Sequence, residues 1–170
     1  MMSRIAEPLL AELEQEAQAT RRMLERVPDG HLSWRPHPKS LTLGELALHV
    51  ATIPGDFAKL LSQDTFDFEG FEYQAPVLSS AADLIPALEA SAAAAAEWLS
   101  RLDDQAATTV WRATEGKREI LAAPRIALVR SMIFNHWYHH RGQLVVYLRQ
   151  LEVPVPAIYG PSADENPFDS

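Results

Sequence analysis

The stretch PRIALVRSMIFNHWYHHRGQLVVYLRQL, residues 124–151, decides how this chain folds. Leu128, Val129, Met132, Ile133, His136, His140, Leu144, Tyr147 and Leu151 recur at spacings of three and four, the repeat of one helix face. Pro124 suits the first turn, where its missing N–H costs nothing. Three earlier stretches carry the same period. Residues 4–27 place Ile5, Leu9, Leu10, Leu13, Ala17, Met23, Leu24 and Val27 on one face, and Pro28-Asp29-Gly30 stops them. A second helix begins at Leu41-Thr42, where Thr42 and Glu45 read as a capping box. It continues through Leu46, His49, Val50, Ile53, Phe57, Leu60 and Leu61, with a kink predicted at Pro54. The third spans 80–102 with Leu84, Leu88, Ala92, Ala95 and Leu99 on one face, and its alanine run at 92–96 permits close packing.

The connections 28–41, 62–79 and 103–122 exceed the ~2–8 residues that adjacent antiparallel helices need. The middle one can cross the length of a bundle and let helices two and three run parallel. Within the last, residues 110–114 and 118–121 flank Glu115-Gly116 and read as a short hairpin, the one extended pairing expected. The proline-rich end, VPVPAIYGPSADENPF, reads as extended chain lying on the helices. The expectation is one all-α domain over residues 1–170, a four-helix bundle.

Composition bounds the chemistry. The chain has 170 residues, 47% of them hydrophobic, a length that one core can organise. It contains no cysteine, which excludes disulfides, thiolate-held metals and a cysteine nucleophile. Fifteen Lys and Arg against 23 Asp and Glu leave a net charge of −8. Phosphate backbones and anionic membranes select the opposite balance, so neither is an expected partner. Neither a signal peptide nor the ~20 apolar residues of a membrane span is legible, and the cytoplasm is the expected compartment.

Any metal must therefore be held by nitrogen and oxygen. His136 and His140 stand four apart on one helix face, close enough to aim both imidazoles at one ion. His49 on a facing helix would complete a three-histidine site with positions left for water or substrate, the arrangement of catalytic rather than structural zinc. A hydrogen-bonded core histidine is the competing reading for His49, and a chance i, i+4 spacing is the competing reading for the pair. Spacing also allows His139, but the apolar register favours His140, leaving His139 as a surface or partner contact. Glu45, one turn before His49, is the candidate catalytic carboxylate, able to orient that imidazole or accept a proton, besides its role in the cap. Arg141 and Trp34 could border an anionic substrate, Trp137 and Tyr138 pack, and His31 and His37 lie in a loop away from the ion. No phosphate loop, nucleophile elbow or H-E-x-x-H motif occurs.

Two segments resemble one known family. HWYHHRGQLVVYLRQLEVPVPAIYGPSADE, residues 136–165, is similar to the end of the damage-inducible DinB family, and LSWRPHPKSLTLGELALHVA, residues 32–51, to the region around that family's first ligand histidine. The resemblance implies a four-helix bundle of up-down-down-up order, often a homodimer, with a long crossover between helices two and three. It implies a divalent ion, zinc or nickel, on His49, His136 and His140. Relatives of known activity include metal-dependent transferases using a thiol such as bacillithiol and a mycothiol-dependent isomerase. The expected function is thus a metal-dependent transferase or isomerase whose partner is a small molecule, including a low-molecular-weight thiol. A metal-dependent hydrolase, a non-catalytic metal-binding stress protein and a bundle that only presents a surface are the alternatives. Val145, Val146 and Leu148, partly outside the ligand stripe, are the candidate dimer contacts.

Overall fold

Helices form where the apolar period places them. The computed structural model describes residues 4–72 and 77–168, so residues 73–76 of the expected crossover lie outside the described residues. In chain order come α1 (Glu7–Leu24), α2 (Leu43–Leu61), α3 (Leu84–Arg101) and the short α4 (Asp104–Thr108). The last rod is α5 (Arg125–Leu128), a π-helical segment (Val129–Asn135) and α6 (His136–Gln150). The capping box of α2 is present: Glu45 N–H donates to Thr42 Oγ1 at 3.2 Å, and Thr42 N–H to Glu45 Oε2 at 2.7 Å.

The all-α expectation needs correction. A three-stranded sheet joins β1 (Thr65–Asp67), β2 (Val110–Glu115) and β3 (Arg118–Pro124), in that order. β2 and β3 form the expected antiparallel hairpin, with Gly116 at φ +60° in its turn, a conformation that glycine takes without a Cβ penalty. β1 pairs parallel with β2, setting Thr65 opposite Arg112 and Asp67 opposite Thr114. Asp67 Oδ1 holds this junction by accepting the N–H of both Glu69 and Gly116 at 3.0 Å. A three-residue strand is too short to show an alternating pattern, so nothing in the sequence announced it.

Contacts give the directions of the long helices. Arg4 reaches the Ser100 carbonyl while Arg21 pairs with Glu89, so α1 is antiparallel to α3. Gly55 lies against Ser91, and Lys59 and Ser62 share a cleft with Glu97 and Arg101, so α2 and α3 run the same way. The last rod opposes α2: Arg125 donates to the Leu61 carbonyl, Trp137 to Val50 and Tyr147 to Leu41. The core between them includes Leu13, Met23, Leu46, Ile53, Leu84, Leu99, Trp111, Phe134 and Trp137, all fully buried.

The register of the last rod differs from the expected stripe. Ile133, Trp137, Arg141, Leu144 and Leu148 are buried, and His136 and His140 stand half-buried at the margin. The π segment explains this, because its i→i+5 ladder takes in an extra residue and rotates the helix beyond it. Leu148 is therefore core rather than a surface contact, while Val146 is exposed. Arg141 is buried against α1, where it pairs with Glu16 and donates to Thr20 Oγ1 at 3.0 Å, so it is not the solvated charge that its residue type suggests.

Pro54, inside α2, has no N–H to give the Val50 carbonyl. The Trp137 indole N–H takes that carbonyl at 2.8 Å. Ser91 adds two more bonds at this point, accepting the Gly55 N–H at 2.8 Å and donating to the Thr52 carbonyl at 2.9 Å. Trp137→Phe keeps an aromatic ring and loses the donor, so urea unfolding should show a loss of about 1–3 kcal/mol, the cost of a buried carbonyl left unpaired. Gly55→Ala should also destabilise, because an added Cβ would stand 2.9 Å from Ser91 Cα and the two backbones would have to part.

Candidate metal centre

The Trp137–Val50 bond brings two chain neighbours together: His49 precedes Val50 and His136 precedes Trp137. Their Nε2 atoms lie 3.2 Å apart. His140, one turn further along α6, sets its ring centroid 4.6 Å from that of His49 and 4.6 Å from that of His136. One nitrogen from each of the three lies within 4.8 Å of the other two. Two nitrogens held at ~2.1 Å by one tetrahedral ion stand about 3.4 Å apart, so the observed spacing fits a shared ion with little movement.

Electrostatics favour the ligand form. Burial first, then the neighbouring imidazole of His140, lowers the pKa of His49 from 6.5 to about 4. His136 is likewise lowered to about 4, by burial and then by His140 and His49. His140 is lowered as well, mainly by burial. All three are thus neutral at pH 7, and a neutral imidazole is what a metal takes. Phe57 closes one side, its ring centroid 5.0 Å from that of His136.

The remaining candidates divide by place. Glu45 spends Oε2 on the Thr42 N–H, and this bond, ahead of all other causes, lowers its carboxyl pKa and keeps it ionised. His139 is exposed and outside the triad; its Nε2 accepts from the Gln143 amide at 2.9 Å. His31 and His37 are exposed loop residues, and His37 Nδ1 accepts the Lys39 N–H at 3.1 Å. Trp34 packs edge-on against Tyr147, their centroids 5.5 Å apart. Trp137 packs, as expected, and Tyr138 is half-buried, donating its hydroxyl to Glu12. Two neighbours of the triad escaped the sequence reading. Phe57 was counted only as core. Gln143, whose Oε1 lies 2.8 Å from His140 Nδ1, had a signal in its three-residue spacing from that histidine.

Comparison with known proteins shows the family and the fold. The pattern of the DinB family matches residues 2–167. The chain is 29% identical over 156 residues to the uncharacterized protein YrdA of Bacillus subtilis, a match covering 89% of this chain and 86% of that protein. A solved DinB-like protein from Bacillus cereus superposes with a TM-score of 0.67 at 28% identity, covering 94% of this chain and all of that one. The DinB-like protein YjoA of Bacillus subtilis gives a TM-score of 0.67 at 18% identity over 89% of this chain and 96% of its own, a likeness of fold alone. A pattern matched almost from end to end settles the kinship: the chain belongs to the DinB family.

Proposed function

We propose that His49, His136 and His140 hold one divalent ion, zinc or nickel, and that the protein is an enzyme acting with it on a small molecule and a low-molecular-weight thiol. The observation that carries this reading is the convergence of three neutral imidazoles with no fourth protein ligand in the group found among the described residues. Purely structural zinc normally takes four protein ligands, and imidazole suits zinc and nickel alike. A divalent ion in this place polarises a substrate carbonyl or lowers the pKa of a thiol or water towards ~7.

The protein's own part is to hold and to orient. The chain has no cysteine, so the thiol must arrive from solution. Three neutral donors leave the full charge of a divalent ion uncompensated, which favours an anionic incoming group such as a thiolate. Glu45 is retained as the carboxylate that could accept a proton near His49, and its lowered pKa makes it a weak base in that role. The reading extends to a cytoplasmic homodimer with the four-helix, up-down-down-up arrangement, and the helix directions support that order. Nucleic acid and membrane are not among the proposed partners; no helix among the described residues is long and apolar enough to cross a membrane. Light scattering should show twice the mass of the 18.9 kDa chain.

Elemental analysis of tag-free protein should find about one zinc or nickel per chain, lost in His136→Ala and His140→Ala and kept in His139→Ala. The reverse pattern for His136 and His139 would overturn the ligand set. A panel of electrophiles with glutathione, bacillithiol or mycothiol should give turnover in metal-loaded protein and none in His140→Ala. Turnover that survives removal of the metal would sink the enzyme reading.

Acid dependence supplies a further expectation. His49 and His136 bind protons less readily folded than unfolded, their pKa values falling from 6.5 to about 4. A lowered histidine pKa costs nothing above pH 6.5, where both states are neutral. Below it the unfolded chain gains protons first, so stability falls as pH drops from 6.5 towards 4. Metal-free wild type should lose thermal stability across this window, and His136→Gln should lose less.

A further inference from the structure

We infer that Gln143 is a positioning residue for the histidine triad: its side-chain amide fixes the proton of His140 on Nδ1 and leaves Nε2 for the ion. The inference rests on the metal reading above and adds a residue to it.

Gln143 stands three residues beyond His140 and four beyond His139, so both imidazoles are within its reach on the surface of α6. Its Oε1 lies 2.8 Å from His140 Nδ1, and its Nε2 lies 2.9 Å from His139 Nε2. An amide oxygen can only accept, so His140 must donate from Nδ1. A neutral imidazole carries one proton, and with it on Nδ1 the lone pair is on Nε2. The opposite amide orientation would set an NH2 group against Nδ1 and force the proton to Nε2, where it blocks an ion. In the observed orientation the amide nitrogen faces His139 Nε2, which accepts from it, and the oxygen faces His140. His139 thus touches the amide from outside the triad. Partners of this kind, bonded to the far nitrogen of a ligating histidine, set its tautomer and ring angle.

Gln143 is exposed, so its variants should fold as wild type does, which circular dichroism and thermal melting check first. In metal-free protein at neutral pH, long-range 15N–1H spectra should show His140 protonated on Nδ1. In Gln143→Leu the proton should move towards Nε2, and the zinc Kd, read by competition with a chromogenic chelator, should rise roughly 10–100-fold. Gln143→Glu, which keeps an acceptor opposite Nδ1, should restore both the tautomer and the affinity. If wild type binds zinc and either the tautomer or the Kd is unmoved in Gln143→Leu, the positioning role is overturned while the metal reading stands. If wild type binds no zinc yet the proton moves in Gln143→Leu, the metal reading fails and the bond assigned to Gln143 stands.

Discussion

One missing N–H organises this molecule. Pro54 interrupts the hydrogen-bond ladder of α2, and an interior helix proline costs ~3 kcal/mol or more when nothing answers it. Here three of the groups around it find partners on other helices. The Val50 carbonyl goes to Trp137 on α6, and the Gly55 N–H and Thr52 carbonyl go to Ser91 on α3. The defect thus becomes the fastening between three helices and fixes their relative heights. A slip of one turn, about 5.4 Å, would strand a buried carbonyl and pull His49 away from His136. The candidate site depends on that register, because two of its nitrogens, 3.2 Å apart, belong to the residues preceding Val50 and Trp137.

α6 has to satisfy three surroundings at once. Trp137, Leu144 and Leu148 fill the core, His136 and His140 turn to α2, and Arg141 turns to α1. The arginine is buried beside Glu16, with Thr20 and Tyr159 completing its partners. Desolvating two charges offsets most of what their attraction gains, so the pair adds little net stability over an apolar replacement. Its effect is on orientation. An unpaired buried charge is costly, so α6 is held to the one rotation that keeps Arg141 on Glu16. That rotation is also the one that leaves His140, the preceding residue, at the half-buried margin facing His49.

The helices were legible because a period of three and four needs only a line of text, and so was the capping box of α2, whose two bonds are local. The triad was legible for a related reason. His136 and His140 are neighbours by spacing, and His49 falls on the one other apolar helix face bearing a histidine. What escaped was whatever depends on two distant segments meeting. β1 is a strand only because β2 lies beside it. The π segment has no composition of its own and shows only in the rotated core face, which is why Leu148 and Arg141 were misplaced. Arg141 looks like any solvated cation until Glu16, 125 residues earlier in the chain, is brought against it.

The same triad also bears on why these histidines sit at a margin rather than in the core. Fully buried, three imidazoles would be neutral but unreachable; fully exposed, they would titrate near 6.5 and spend part of their time protonated and repelling a cation. Half-burial resolves the conflict. Enough water is removed to carry His49 and His136 down to about 4, so both are ready as donors at neutral pH. Part of each of the three residues stays in contact with solvent. Phe57 closes one flank at 5.0 Å from His136, while the His139–Gln143 side stays in contact with solvent. That exposed turn lies on the Nδ1 side of His140, behind the nitrogen assigned to the ion, so the solvent there reaches the residues that orient the ligand.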